Sequence, residues 1–409
     1  MTSADETSPF AAIADAVAAI GRGEIIVVVD DEDRENEGDL IMAAEFATPE
    51  NLAFFVRHTS GLICVPMTGD RLDELEIPLM VRDNTEAQRT AFTYSVDYTH
   101  GTTTGISAAD RAATIQGLID PATRPIDLAR PGHIFPLRYS EGGVLKRAGH
   151  TEAAVDLSRM AGLYPSGVLC ELVNDDGTMS RVTDLVGFCA EHDLLMISIA
   201  ELIKYRRQNE KLVRRIAEAR IPTEWGDFTC YAYESVLDGE HHVALVRGAV
   251  QGEEDVLVRV HSECLTGDAF GSQRCDCGEQ LQAAIKMIAE EGAGIVLYMR
   301  QEGRGIGLKN KIRAYLLQDD EGLDTVEANH RLGFAADLRD YGVGTQILAD
   351  LGVKQLRIIT NNPGKRAGIE GYGLQIVERV PLEITPNENN LTYLRTKKEK
   401  LGHVLHLMS

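Results

Sequence analysis

The stretch "EIIVVVDDEDRENEGDLIMAA", residues 24–44, decides how the first half of this chain folds. Its β-branched run from Ile25 to Val29 predicts a strand. Asp30, Asp31, Glu32, Asp33, Glu35, Glu37 and Asp39 then crowd into one loop, after which the sequence reads as a second strand. Upstream, Ser8 and Pro9 predict the N-cap and first position of a helix carrying Ile13, Val17 and Ile20 on one face, stopped by Gly21 and Gly23. Downstream, "TSGLICVPM" predicts another strand and "HTEAAVDLSRMAGL" a helix begun near Thr151. The charged segment "IAELIKYRRQNEKLVRRI" places a domain boundary near residue 207. Beyond it, "HHVALVRGAV" and "DVLVRVHSEC" are expected to pair as a hairpin. Leu281, Ile285 and Ile288 predict a helix ended by Gly292, followed by the strand "AGIVLYM", and a further strand-then-loop unit is read at "LRIITNNPGKR". Helices and strands mix without a regular βαβ period, so the expectation is two α+β domains in tandem, 1–207 and 208–409.

A length of 409 residues exceeds one ordinary core, and an apolar content of 44% fills two. The formal charge of -22 argues against a nucleic-acid or anionic-membrane surface, so any anionic ligand must meet locally basic pockets. No apolar run approaches the roughly 18 to 20 residues that span a bilayer, and "MTSADET" is unlike a signal peptide. A cytoplasmic protein is expected. Cys64, Cys170, Cys189 and Cys230 are scattered singly, which suits a reducing compartment.

The other three cysteines, Cys264, Cys275 and Cys277, fall within "HSECLTGDAFGSQRCDCGEQ", residues 261–280. Three thiolates bind one soft divalent ion and leave the fourth tetrahedral position to water, the pattern of a catalytic zinc, which lowers the pKa of that water towards about 7. A closed structural site completed by His261, or unligated thiols, is the plainer alternative. Arg259, Arg274, Arg300, Arg304 and Lys309 flank the cluster and the Gly-rich loop "RQEGRGIGLKNK". "TNNPGKR", with Thr360 and Lys365, offers a second anion cradle. A hydrolytic metal beside two basic, glycine-bearing loops points to a phosphorylated substrate.

These motifs, with "QEGRGIGLKNKIRAY" and "DTVEANHRLGFAADLRD", resemble those of GTP cyclohydrolase II across essentially the whole second half. The resemblance implies that zinc on Cys264, Cys275 and Cys277 opens the imidazole ring of GTP, releasing formate, and that diphosphate is lost as well. It implies GTP contacts from Arg259, Val260, His261, Ser262, Glu263, Gln280, Glu302, Gly303, Arg304, Thr325, Thr360 and Lys365. It further implies Asp337 as proton acceptor and Arg339 as nucleophile at the α-phosphate. A guanidinium, with a pKa above about 12, suits an electrostatic clamp better than a nucleophile.

By default the acidic run of the first half is a solvated loop. Like charges this close nevertheless repel unless a hard divalent ion or substrate hydroxyls offset them. His133, His150 and Glu171, in the remote segments "RPGHIFPL" and "RAGHTEAAVDLSRMAGLYPSGVLCEL", are groups that ligate metal or move protons, though a single histidine is more often structural. "DRENEGD" and "RAGHTEA" are similar to 3,4-dihydroxy-2-butanone 4-phosphate synthase over about the first two hundred residues. That likeness implies conversion of ribulose 5-phosphate to the butanone phosphate and formate, with Mg2+ or Mn2+ on Glu35 and His150. It implies substrate contacts from Arg34, Glu35, Asp39, Arg147, Ala148, Gly149, His150, Thr151 and Glu171, catalysis by His133 and Glu171, and a site formed across a homodimer interface.

Together the halves look like a bifunctional enzyme of riboflavin biosynthesis. One alternative keeps a single half catalytic and makes the other a GTP-binding or zinc-stabilised regulatory scaffold. A zinc nucleobase deaminase is disfavoured because Cys275 and Cys277 are one residue apart and Pro-Cys-x-x-Cys is missing. A nucleic-acid-binding knuckle conflicts with the acidic balance.

Overall fold

The computed structural model describes residues 8–31, 34–86, 88–337, 339, 341–363 and 374–407. The chain divides into two compact units, one ending at Asn209 and the other starting at Glu210. The charged segment around the division forms the helix Ile199–Asn209 and then enters the strand Val213–Thr223.

Among the described residues the first unit builds one sheet from β1 (Ile26–Val29), β2 (Gly38–Ala43), β3 (Cys64–Met67), β4 (Val96–Tyr98), β5 (Leu128–Arg138), β6 (Gly167–Glu171) and β7 (Met196–Ser198). Their order is β4-β5-β3-β6-β2-β1-β7. The two strands expected on either side of the acidic loop, β1 and β2, pair antiparallel, with Val29 opposite Gly38. Every residue of β1 is buried because helices cover both faces of the sheet, which is why the run reads as continuously apolar. Val27, Leu40, Val65 and Val168 face a core closed by Phe55, Ile115 and Leu185. Val28, Ile41, Cys64 and Leu169 face the opposite core, closed by Ile20, Ala153 and Leu157. One sequence expectation fails here. The first helix runs from Ile13 to Gly21 rather than from Pro9, because the Ala11 amide donates to the Met196 carbonyl at 2.8 Å and holds the preceding segment against β7.

The second unit contains β8 (Val213–Thr223), β9 (Gly226–Ser235), β10 (His241–Arg247), β11 (Val256–Ser262), β12 (Gly294–Met299), β13 (Gln355–Ile359) and β14 (Gln375–Val380), in the order β14-β13-β11-β12-β10-β9-β8. The hairpin expected between β10 and β11 is absent, since β12 lies between them, antiparallel to β10 and parallel to β11. Almost all of β12 is buried, and only the centre of the sheet supplies partners on both of its edges. Reaching that place parallel to β11 requires a crossover, which the helix Cys277–Glu291 provides. Gly292 ends this helix in the left-handed conformation (φ 86°), as its sequence position predicts. Both units are α+β, and in the second β12, β11, β13 and β14 run parallel.

Candidate functional site

In the second unit, Ser262, Met299 and Ile359 end the parallel strands β11, β12 and β13. The carboxyl ends of such strands are where ligands collect, and a cavity of about 540 Å³ opens there. Cys264 follows β11, while Cys275 and Cys277 enter the crossover helix. The sulfurs of Cys264 and Cys275 are 3.6 Å apart, and all three lie within 4.8 Å of one another. Zinc–sulfur bonds of about 2.3 Å in a tetrahedron set sulfurs about 3.8 Å apart, so the donor set fits. Two glycines permit the approach. A Cβ on Gly267 would stand 2.9 Å from the Cys275 sulfur and 3.2 Å from that of Cys264, and one on Gly278 would run into the Gly267 carbonyl.

Hydrogen bonds from Cys275 and Cys277, with Lys311 behind them, hold the Cys264 thiol well below its ordinary range. The same Cys264 hydrogen bond pushes Cys275 up to about 11. Ionising all three thiols therefore calls for a dication among them. His261 is turned elsewhere: its Nε2 meets both Asp268 oxygens at 3.1 Å, and its ring stacks on Tyr298.

Around the sulfurs, Glu302 accepts from the Leu265 amide at 2.7 Å and from Lys311 Nζ at 2.8 Å. Gly303 and Arg304 both adopt left-handed backbone, φ 62° and 60°, a strained conformation for arginine. Arg304 Nη1 is buried without a hydrogen-bond partner among the described residues, as befits a donor awaiting an anion. Arg259 is buried, donating to the Ile359 carbonyl at 3.0 Å and to Gln280 at 2.6 Å. Gln280 in turn donates to Asp276, which pairs with Lys397 at 2.6 Å. Ser262, Glu263, Thr325 and Thr360 line the cavity. Val260 does not, because its side chain points into the apolar core on the other face of β11. Lys365 lies outside the described residues.

Asp337 and Arg339 occupy irregular backbone and form a two-pronged ion pair, Nε to Oδ1 at 2.8 Å and Nη2 to Oδ2. Arg339 Nη1 also donates to Ser262 Oγ at 3.3 Å. Burial alone would lower the Arg339 pKa, but the Asp337 hydrogen bonds and neighbouring Tyr341 outweigh it and raise the pKa above its ordinary value. Lys309, expected beside the cluster, is exposed, whereas Lys311 and Tyr315 reach the cavity. Helical i, i+4 spacing of those two was the signal that would have identified them.

In the first unit the described residues of the acidic loop are organised rather than loosely solvated, with Glu32 and Asp33 lying outside the described residues. Asp30 accepts from the Glu35 amide at 3.2 Å and the Glu37 amide at 2.9 Å, and it pairs with Arg34 at 2.9 Å. Donor atoms of Asp30, Glu35 and His150 lie within 4.8 Å of one another, so Asp30 joins the two ligands implied by the sequence. His150 Nε2 donates to the Val28 carbonyl at 3.1 Å. That tautomer leaves Nδ1 as a lone pair, 4.0 Å from Glu35 and 3.8 Å from Asp39. Burial pulls the His150 pKa down to about 4 and keeps the ring neutral. Asp39 is fully buried, and its Oδ1 has no hydrogen-bond partner among the described residues. Burial first, and then Glu171, Glu35 and Glu37, push its carboxyl well above the usual range. A hard cation with oxygen ligands fits this donor set and would offset its crowded charge.

The sheet register brings the other groups to the same end. Val28 is opposite Asp39, and Asp39 opposite Glu171. Cys64 is aligned with both Leu169 and Phe135, so Glu171 and His133 lie two strands apart at one level and on one face, about 10 Å from each other. Ser60 Oγ donates to Glu171 at 2.8 Å. His133 Nδ1 meets Asp97 at 2.7 Å, and its amide donates to the same carboxylate at 2.9 Å. Ala148 and Gly149 lead into the helix His150–Met160, whose first turn contains Thr151. Arg147 pairs with Glu152 at 2.7 Å and donates to Thr90 at 2.9 Å.

The family model described as 3,4-dihydroxy-2-butanone 4-phosphate synthase matches residues 14–205, and that described as GTP cyclohydrolase II matches residues 214–381. Riboflavin biosynthesis protein RibBA of Synechocystis sp. is 62% identical over 400 residues, covering 97% of this chain and 72% of the relative. The protein of the same name from Salinispora arenicola is 60% identical over 397 residues, covering 97% and 94%. Among solved structures, RibBX, a two-domain 3,4-dihydroxy-2-butanone 4-phosphate synthase from A. baumannii, is similar with a TM-score of 0.69 and 35% identity, covering 91% of this chain and 100% of that one.

Proposed function

The chain belongs to the family of bifunctional riboflavin biosynthesis enzymes that join a 3,4-dihydroxy-2-butanone 4-phosphate synthase to a GTP cyclohydrolase II, and from that premise we propose how its residues divide the work. Residues 1–207 convert ribulose 5-phosphate to 3,4-dihydroxy-2-butanone 4-phosphate and formate. Residues 208–409 hydrolyse GTP to a diaminopyrimidine ribosyl phosphate, formate and diphosphate. The single observation that carries the reading is the pair of separate donor clusters, one of sulfur and one of oxygen and imidazole, each set among the residues that its family motif implies.

In the first half, Glu35 and His150, with Asp30 beside them, hold Mg2+ or Mn2+. When bound, such a cation would supply Lewis acidity for enolisation of the sugar. Glu171, fixed by Ser60, and His133, fixed by Asp97, carry the protons. Arg34 and Asp39 orient the sugar. Arg147, Ala148, Gly149 and Thr151 bind the phosphate end, where the first-turn amides of the helix favour an anion.

In the second half, Cys264, Cys275 and Cys277 hold Zn2+, which supplies Lewis acidity and an activated water for attack on the imidazole ring. Arg259, His261, Ser262, Glu263, Gln280, Glu302, Gly303, Thr325, Thr360 and Lys365 bind GTP, with Val260 contributing backbone only. Arg304 offers to the phosphates its Nη1, which has no hydrogen-bond partner among the described residues. Asp337 accepts a proton, and Arg339 is a cationic clamp on the departing diphosphate rather than a nucleophile. All three guanidinium nitrogens already donate, and the ion pair keeps the group charged. Reactions quenched in alkaline denaturant, where an arginine–phosphorus bond survives, and examined by mass spectrometry should therefore show no GMP adduct on Arg339. Such an adduct would overturn the clamp.

The enzyme is further proposed to be cytoplasmic and homodimeric. No helix among the described residues is long and apolar enough to cross a membrane. Consecutive exposed Leu79, Met80 and Val81, bridged to the segment carrying exposed Tyr94, offer an apolar face for a second copy. The deciding experiment measures formate from the purified chain, given GTP or ribulose 5-phosphate separately with zinc and magnesium, alongside light scattering for mass. Formate from both substrates and a dimeric mass are expected. Formate from only one, in a folded and metal-loaded chain, would turn the silent half into a scaffold.

A further inference from the structure

Lys311 is a basic side chain that touches the sulfur cluster. Its Nζ lies 3.2 Å from Cys264 Sγ, 3.0 Å from Thr266 Oγ1 and 2.8 Å from Glu302 Oε1. An ammonium has three donors, and these three acceptors use them all. The side chain is buried, and its ammonium stands 5.7 Å from the centre of the Tyr315 ring, one helical turn further along.

We infer that Lys311 is a positioning residue for ring opening, fixing Cys264 and Glu302 in place and offsetting the negative charge that three thiolates bring to their metal. The inference rests on the zinc assignment above. Three thiolates around one dication leave a net negative charge, to which a nucleoside triphosphate adds more. One ammonium in hydrogen-bond contact with a thiolate offsets the excess charge beside the metal, while Glu302 shares the same ammonium. A thiolate that accepts a hydrogen bond from a cation also gives less electron density to the metal, which then remains the stronger Lewis acid. Glu302 completes the link mechanically. Its other oxygen accepts from the Leu265 amide at 2.7 Å, beside the first metal ligand, and its Oε1 also accepts from the Gly303 amide at 2.9 Å. Lys311 thus ties the loop bearing Cys264 to the loop bearing Arg304. A surface lysine paired with one carboxylate would do neither.

The test uses the full-length chain with cobalt(II) in place of the native metal, comparing Lys311→Met and Lys311→Arg with the unaltered protein. Each should bind one cobalt through sulfur. In Lys311→Met the sulfur-to-cobalt charge-transfer band should move to lower energy, because a thiolate without its hydrogen bond is more easily oxidised. With zinc restored, kcat for formate release from GTP should fall about 10- to 100-fold without a matching rise in KM. Lys311→Arg, which keeps the charge and the donors, should recover the band and part of kcat. Formate release from ribulose 5-phosphate serves as the internal check on folding. An unmoved band with unchanged kcat in Lys311→Met overturns the inference, as does a rise in KM alone. A Lys311→Met chain that keeps its first activity but binds no cobalt also overturns it, making the lysine a structural support only. If the unaltered chain fails to bind cobalt through sulfur, the zinc assignment itself fails.

Discussion

Cys275→Ser should cut formate release from GTP by at least about 10³-fold, on the order of 4 kcal/mol of transition-state stabilisation, while leaving release from ribulose 5-phosphate within experimental error. Cys275 is buried, and its sulfur sits 3.6 Å from that of Cys264. A serine hydroxyl there would be a poorer ligand for a soft dication, with a shorter reach, and the remaining pair of thiols holds zinc weakly. The first activity should survive because its donor cluster belongs to a separate unit with its own sheet and its own cores. Assaying both substrates on one preparation, with metal content measured alongside, gives the answer. Loss of both activities in a chain that still melts cooperatively would show that the two sites are not independent.

Glu171→Ala is the matching experiment on the other half, with a loss of roughly 10²- to 10⁴-fold expected, the usual worth of a positioned acid or base. Glu171 ends β6 opposite Asp39, and Ser60 aims its carboxylate. Glu171→Gln retains the shape and the ability to accept from Ser60 yet cannot take a proton, so it should be nearly as impaired as the alanine variant. Rates on ribulose 5-phosphate, compared with rates on GTP, separate this outcome from a general loss of fold. An unchanged ribulose 5-phosphate rate in Glu171→Ala would remove this carboxylate from the mechanism.

Much of the local structure was legible in the sequence because it depends on local signals. β1, the acidic loop and β2 follow from one apolar run, one charge run and another apolar run. The helix ending at Gly292 follows from its spacing and its left-handed cap. Failures arose where a distant partner decides. The pairing of β10 with β11 looked favourable between neighbours, but β12 arrives through a crossover and takes an edge of each. The first helix starts late because β7, far along the chain, holds the residues before it. At the sites, the cysteine spacing suggested a shared ion, whereas Asp30 was indistinguishable from the other acids of its run until folding placed it beside His150. Lys309 and Lys311 differ by half a turn of helix, which puts one in solvent and the other against a sulfur.

Each unit completes its own sheet, and among the described residues no strand of one belongs to the other. Two enzymes are thus translated as a single message in a fixed ratio, one catalytic centre of each kind per polypeptide. Raising or lowering the amount of this chain moves both reactions together. The proportion of pyrimidine to four-carbon product that this chain makes then depends on turnover numbers and substrate levels, so a mutation that slows one centre shifts that proportion at any abundance of the chain.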